Sequence, residues 1–232
     1  MQENKKLWPS QEKYIKKVLE KFNMKDAKPV GTPLVAHFKL STELCPSDDK
    51  EKEELSRIPY ATSVGSLMYA MVCTRLDIEY SVGVVSRFLA NPGKQHWKAV
   101  KWIMRYLKGT SHYCLCFGHD ETVLEGFTDA DMAGDMDTRK STTCYLYTFA
   151  GAAVSWVSRL HIIVALSITE VEYLATIKAC KEMLWMQQFL GEIGIKQDKY
   201  VLYCDSQSAI HLAKNPTFHS KTKHIDLRYH WI

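Results

Sequence analysis

No stretch of this 232-residue chain comes near the roughly 18 uninterrupted apolar residues that a membrane-spanning helix needs, so a membrane partner is not expected. Met1 to Trp8 holds lysines but no apolar core of the kind a secretory leader carries. The expectation is therefore an intracellular protein, cytoplasmic or nuclear, that is not secreted. No C-x-x-C pair occurs among the seven cysteines; the nearest two, Cys114 and Cys116, fall on one face of an expected strand. Reduced thiols are the reading, over a disulfide framework or a zinc site. A serine or cysteine hydrolase is poorly supported, because there is no Gly-x-Ser-x-Gly elbow and no histidine placed beside a nucleophile. Repeats and low-complexity tracts are missing too. An excess of one charge is also lacking: 30 basic against 26 acidic residues leave +4, too mild to name a partner. With 46% hydrophobic and 24% charged residues, the chain has an ordinary globular composition and enough length to bury a core.

The charge that is present is unevenly placed. Residues 61–119 carry 7 basic and 2 acidic side chains, whereas residues 120–205 carry 7 and 13. A basic segment followed by an acidic one suits a polyanion-binding surface beside a cation-binding site. Ser10 to Met24 reads as an amphipathic helix, with Tyr14, Ile15, Val18, Leu19 and Phe22 at helical spacing. Pro29, Gly31, Pro33 and Pro46 mark an extended stretch, and Asp48 to Glu54 reads as a solvated loop or helix start. Tyr60 to Thr74 and Asp77 to Leu89 repeat the helical pattern until Asn91-Pro92-Gly93 breaks it. In the next helix, Lys94 to Lys108, five cations share one face: Lys94, Lys98, Lys101, Arg105 and Lys108. Ala99, Val100, Ile103, Met104 and Leu107 occupy the other face, with Trp97 and Trp102 flanking. Such a stripe is either a solvated lysine face or a ridge that tracks nucleic-acid phosphates.

After Gly109 the pattern turns to strands: Tyr113 to Phe117, Val123 to Thr128, Cys144 to Phe149, Ala152 to Val157 and Ile162 to Leu166. A long helix from Thr169 to Leu190 is entered through Ser167 or Thr169, with Glu170 or Glu172 three residues on as a capping box requires. Strand Tyr200 to Cys204, helix Ser206 to Lys214 and a basic segment, Phe218 to Trp231, complete an α/β arrangement. Three acids sit where such folds place chemistry. Asp129 ends a strand, Glu172 lies in the first turn of the long helix, and Asp205 directly follows a strand. Carboxylates converging at strand ends make a hard-cation site. Each also has a plain structural role open to it, as a cap or as an acid favoured by the helix dipole.

The wording of the residues adds a resemblance. Gly126-Phe127-Thr128-Asp129-Ala130-Asp131-Met132-Ala133-Gly134, Lys140-Ser141-Thr142-Thr143-Cys144-Tyr145, Ala165-Leu166-Ser167-Ile168-Thr169-Glu170-Val171-Glu172-Tyr173 and Tyr203-Cys204-Asp205-Ser206-Gln207-Ser208-Ala209 resemble four successive ribonuclease H motifs of copia-type (Ty1/copia) retrotransposon Pol polyproteins. Thr222-Lys223-His224-Ile225-Asp226-Leu227-Arg228-Tyr229-His230 is similar to the basic helix that follows them. Upstream, Ser10-Gln11-Glu12-Lys13-Tyr14-Ile15 and Val64-Gly65-Ser66-Leu67-Met68-Tyr69 resemble the end of that family's reverse transcriptase. The resemblance implies a ribonuclease H-like mixed sheet with flanking helices over residues 120–232. A mostly helical thumb or connection remnant would precede it, split into a tail at 1–56 and a segment with the basic helix at 57–119.

It further implies Mg²⁺-dependent cleavage of RNA in RNA–DNA hybrids by two metal ions, with Mn²⁺ as a substitute. Asp129 would bridge both ions, Glu172 would hold one and Asp205 the other. Glu170 is the near alternative to Glu172, and His224 a supporting group near the scissile phosphate. The five cations from Lys94 to Lys108 would guide the backbone, a step that comes from charge geometry and not from the resemblance. The polymerase signature, an aromatic residue followed by two aspartates, is absent, so no polymerase active site is expected. The family's domain runs past Trp231 into a strand and a helix with a fourth acid, so a truncated and inactive domain is one expectation, with Asp226 as the substitute acid. Leu76, Cys144 and Val171 stand where the family has Pro, Gly and Ala. Beside the nuclease stands a second reading, a co-opted retroelement product that binds nucleic acid or protein without cleaving.

Overall fold

Two compact units divide the chain, Leu7–Cys116 and the part beginning at Phe117. The structure is a computed structural model and describes residues 6–118, 122–162 and 164–214. The first unit has five α-helices, α1 (Glu12–Lys21), α2 (Asp49–Ser56), α3 (Tyr60–Cys73), α4 (Glu79–Ser86) and α5 (Lys94–Gly109); apolar residues at helical spacing account for all but α2, in which Leu55 is the one buried residue. The apolar face of α5, from Ala99 to Leu107, is buried among Ile15, Leu19, Leu40, Val64 and Val82. Residues on both sides of position 56 therefore fill one core. The strand expected at 113–117 does not form as a named element. Cys114 makes an isolated bridge to Ser10, and the Leu115 N–H bonds the Pro9 carbonyl, so Cys114 and Cys116 do not share a strand face.

The second unit carries a four-stranded mixed sheet ordered β3-β2-β1-β4. Its strands are β1 (Glu125–Asp131), β2 (Thr142–Phe149), β3 (Ala152–Leu160) and β4 (Val201–Cys204). Hairpin connections make β1, β2 and β3 antiparallel neighbours, whereas the crossover through α6 (Ile168–Glu192) returns β4 parallel to β1. Helix α7 (Gln207–Lys214) brings Ala209 and Leu212 against Tyr173, Leu174 and Ile177 of α6. Tyr147 of β2 lies across Gly126 of β1, and its hydroxyl donates to the Ala179 carbonyl of α6 at 2.7 Å. A Cβ at Gly126 would stand 2.4 Å from that ring, so glycine is what lets the tyrosine tie sheet to helix.

Two expectations are corrected here. β1 runs on to Asp131, so Asp129 lies inside a strand rather than at its end, paired with Cys144. No strand forms among the described residues of 162–166. Ile162, Val164 and Leu166 are exposed, and the Leu166 N–H is bonded to the Glu170 carboxylate, which commits that stretch to the start of α6. Cys144, placed where the resemblance has Gly, sits in β2 without a positive φ, so the side chain costs no backbone strain. None of the seven cysteines, all among the described residues, is in a disulfide. No helix among the described residues is long and apolar enough to cross a membrane.

Candidate metal centre

Parallel register does the first part of the assembly. β1 and β4 are paired up to Thr128 and Cys204, so the next residues on the two strands, Asp129 and Asp205, are neighbours at the same end of the sheet. The third acid comes from α6, whose start is fixed by a cap. Ser167 Oγ accepts from the Glu170 N–H at 3.2 Å, and the Glu170 carboxylate accepts from the Leu166 N–H at 2.7 Å. Glu170 is thereby occupied with the helix entry. Glu172, two residues on, is turned to the acid end of the sheet and is 7% exposed.

The ligand atoms of Glu172, Cys204 and Asp205 all lie within 4.8 Å of one another. Asp129 is not in that close group but is near enough for its charge to act on Glu172, and the Ala130 N–H, which bonds Asp129 Oδ1 at 2.8 Å, also interacts with Glu172. Burial, reinforced by the negative charges of Asp129 and Asp205, pushes the Glu172 carboxyl up to about 7, against a weaker downward pull from the Ala130 N–H. Glu172 Oε2 is buried and has no hydrogen-bond partner. A buried carboxylate oxygen left unsatisfied among other carboxylates is costly by itself and is relieved by a cation. The oxygen donors fit a hard divalent ion such as Mg²⁺, with Asp129, Glu172 and Asp205 as the residues that would hold it.

Asp226 and His224 lie outside the described residues. The cation stripe on α5 is described in full, and much of it is engaged. Lys94 Nζ is 3.3 Å from Glu51, Arg105 Nε donates to the Lys28 carbonyl at 2.7 Å, and Lys108 Nζ donates to the Ala27 carbonyl at 2.8 Å. Arg105 also stacks on Trp102, whose indole N–H donates to the Thr32 carbonyl, and Lys101 lies over Trp97. The stretch from Ala27 to Thr32 has no ladder to satisfy its carbonyls, so this face of the helix does it. Lys98 is exposed. Cys204 was missed by sequence reasoning, since a thiol at the end of an apolar strand reads as one more small hydrophobe.

The chain is 62% identical over 229 residues to the retrovirus-related Pol polyprotein from transposon TNT 1-94 of Nicotiana tabacum, an alignment covering 99% of this chain and 17% of that protein. It is 39% identical over 229 residues to the retrovirus-related Pol polyprotein from transposon RE1 of Arabidopsis thaliana, covering 96% and 15%. The chain belongs to the copia-type retrotransposon Pol polyproteins. It spans about a sixth of the length of the two Pol relatives. Another similar protein is the secreted RxLR effector protein 161 of Plasmopara viticola, 44% identical over 133 residues, or 57% of this copia-type chain and 94% of that protein. No family model matches the copia-type chain, and no solved structure does.

Proposed function

We propose that the unit beginning at Phe117 is a ribonuclease H-like nuclease domain that cuts the RNA strand of RNA–DNA hybrids with Mg²⁺, for which Mn²⁺ can substitute. The observation that carries this is the convergence of Asp129, Glu172 and Asp205 at one end of the sheet, with a buried, unpartnered oxygen on Glu172. Membership of a Pol family supports a nucleic-acid substrate and a place within a larger retroelement polyprotein. Bound divalent ions supply the positive charge that offsets the developing charge on a phosphodiester. The chain's own part is to hold three carboxylates together. β1 and β4 fix two of them by register, and the Ser167 cap fixes the helical turn that presents the third. Glu172 accepts a proton near neutral pH when no cation is present, so its carboxylate becomes available as the pH rises through about 7.

A labelled RNA–DNA hybrid incubated with the purified chain and Mg²⁺ tests the reading. Cuts confined to the RNA strand are expected, and Asp129→Asn and Glu172→Gln should each lose at least about a hundredfold in rate, the scale of removing a main electrostatic group from a site. A folded wild-type chain that binds the hybrid without cutting it would instead favour the non-catalytic, co-opted binder.

A further inference from the structure

Cys204 gives the acidic cluster a second kind of donor. Its Sγ belongs to the same group of ligand atoms as Glu172 and Asp205, all within 4.8 Å of each other. The independent pointer to a ligand is Glu172 Oε2, buried in a side chain that is only 7% exposed and left without a hydrogen bond. Two carboxylates and one thiol are a poor set for Mg²⁺, which ignores sulfur, and a good one for Zn²⁺ or Cd²⁺. Tetrahedral zinc wants its oxygen and sulfur donors about 3.5 Å apart, as follows from Zn–O and Zn–S bonds of about 2.1 and 2.3 Å. The atoms here need to close by little more than about 1 Å on that scale. Asp205 is exposed, and Cys204, half-buried against the apolar cluster of α6 and α7, makes only long polar contacts through its sulfur, to the Thr176 hydroxyl at 3.7 Å and the Ser206 carbonyl at 4.0 Å.

We propose that Glu172, Cys204 and Asp205 form a thiophilic metal site that captures Zn²⁺ or Cd²⁺, with a fourth position left to water. On binding, the Cys204 S–H gives its proton to solvent and the sulfur forms a bond to the metal; no oxidant or reductant is involved. Capture itself stands on the geometry. That captured metal would compete with Mg²⁺ rests on the nuclease reading above, because both ions claim Glu172 and Asp205.

The test is Zn²⁺ titration of the full chain against a chromophoric chelator, paired with Cd²⁺ titration read by sulfur-to-cadmium ultraviolet absorption. Circular dichroism confirms the fold of every variant. The wild type should take up one Zn²⁺ per chain at this site and show the absorption. Cys204→Ser, or Cys204→Ala should the serine variant misfold, should weaken Zn²⁺ by at least about tenfold and lose the Cd²⁺ signal. Glu172→Gln should weaken Zn²⁺ likewise, whereas Cys180→Ser, remote from the trio, should keep wild-type affinity. Equal Zn²⁺ affinity in wild type and Cys204→Ser, or no sulfur–cadmium absorption from the folded wild type, overturns the inference. Hybrid cleavage is measured separately. A chain that captures Zn²⁺ through Cys204 yet never cuts RNA sinks the nuclease reading alone, and one that cuts without such capture sinks this inference alone.

Discussion

Glu172 is the residue at which this site's energetics can be read most directly. Its carboxyl is raised from an ordinary 4.5 to about 7 in the folded chain, mainly by burial and then by Asp129 and Asp205. The folded state therefore binds a proton more readily than the unfolded one, and the associated stability is present at low pH and lost as pH rises from about 4.5 through about 7. Glu172→Gln removes that loss. Without divalent metal, the variant should be more stable than wild type by about 3 kcal/mol at pH 8 and nearly equal to it below pH 4.5, as chemical denaturation would measure. His161 behaves in the opposite sense. Burial, helped by Lys178, lowers it to about 4, so its contribution is present above about 6.5 and fades as pH falls through about 4. Gly126 shows a purely steric constraint, and Gly126→Ala, which drives a methyl into the Tyr147 ring, should cost about 1–3 kcal/mol in the same experiment.

Among the elements, α5 shows how far sequence reasoning reaches. Its apolar face follows from periodicity alone, and Ile103→Ala should cost about 2–5 kcal/mol because Ile103 is fully buried. Lys98→Ala, on the exposed side, should stay within about 0.5 kcal/mol of wild type, and urea melts of the two variants make the comparison. What the other cations do was not legible, since Arg105 and Lys108 bond carbonyls of residues 27 and 28, distant in sequence and without any pattern to announce them. The other helices among the described residues were read to within a few residues, except α2, whose sequence leaves open a solvated loop or a helix start; the basic segment from Phe218 to Trp231 lies outside the described residues. β1 was ended too early because Asp129 and Asp131 have the composition of a turn, although the ladder to β2 runs through both. Ile162, Val164 and Leu166 are apolar yet exposed, so composition suggested a strand where these side chains have nothing to pack on. Of the candidate site, the acids were visible as residue types at element ends. The choice between Glu170 and Glu172 became physical only when the cap showed Glu170 bonded to the Leu166 N–H, and Cys204 needed three dimensions to be noticed at all.

For the molecule as a whole, cation binding should act as a stabiliser. An ion that binds only the folded chain adds about 1.4 kcal/mol when present at ten times its dissociation constant. Thermal melts should therefore shift upward with Mg²⁺ and return on chelation, and Asp129→Asn should blunt the shift. Among the described residues, this cluster is where such a shift is expected to arise, because it gathers carboxylates around an unpartnered oxygen. The parallel pairing of Glu125 with Val201 has a consequence in time as well as in space. The chain has to turn both hairpins, wind the 25 residues of α6 and come back before Asp205 can stand beside Asp129. Contacts so far apart in sequence carry the largest loop-closure cost and tend to form late. Refolding should accordingly restore helical signal well before any affinity for a divalent ion, and closing the sheet and completing the carboxylate set should be one kinetic event.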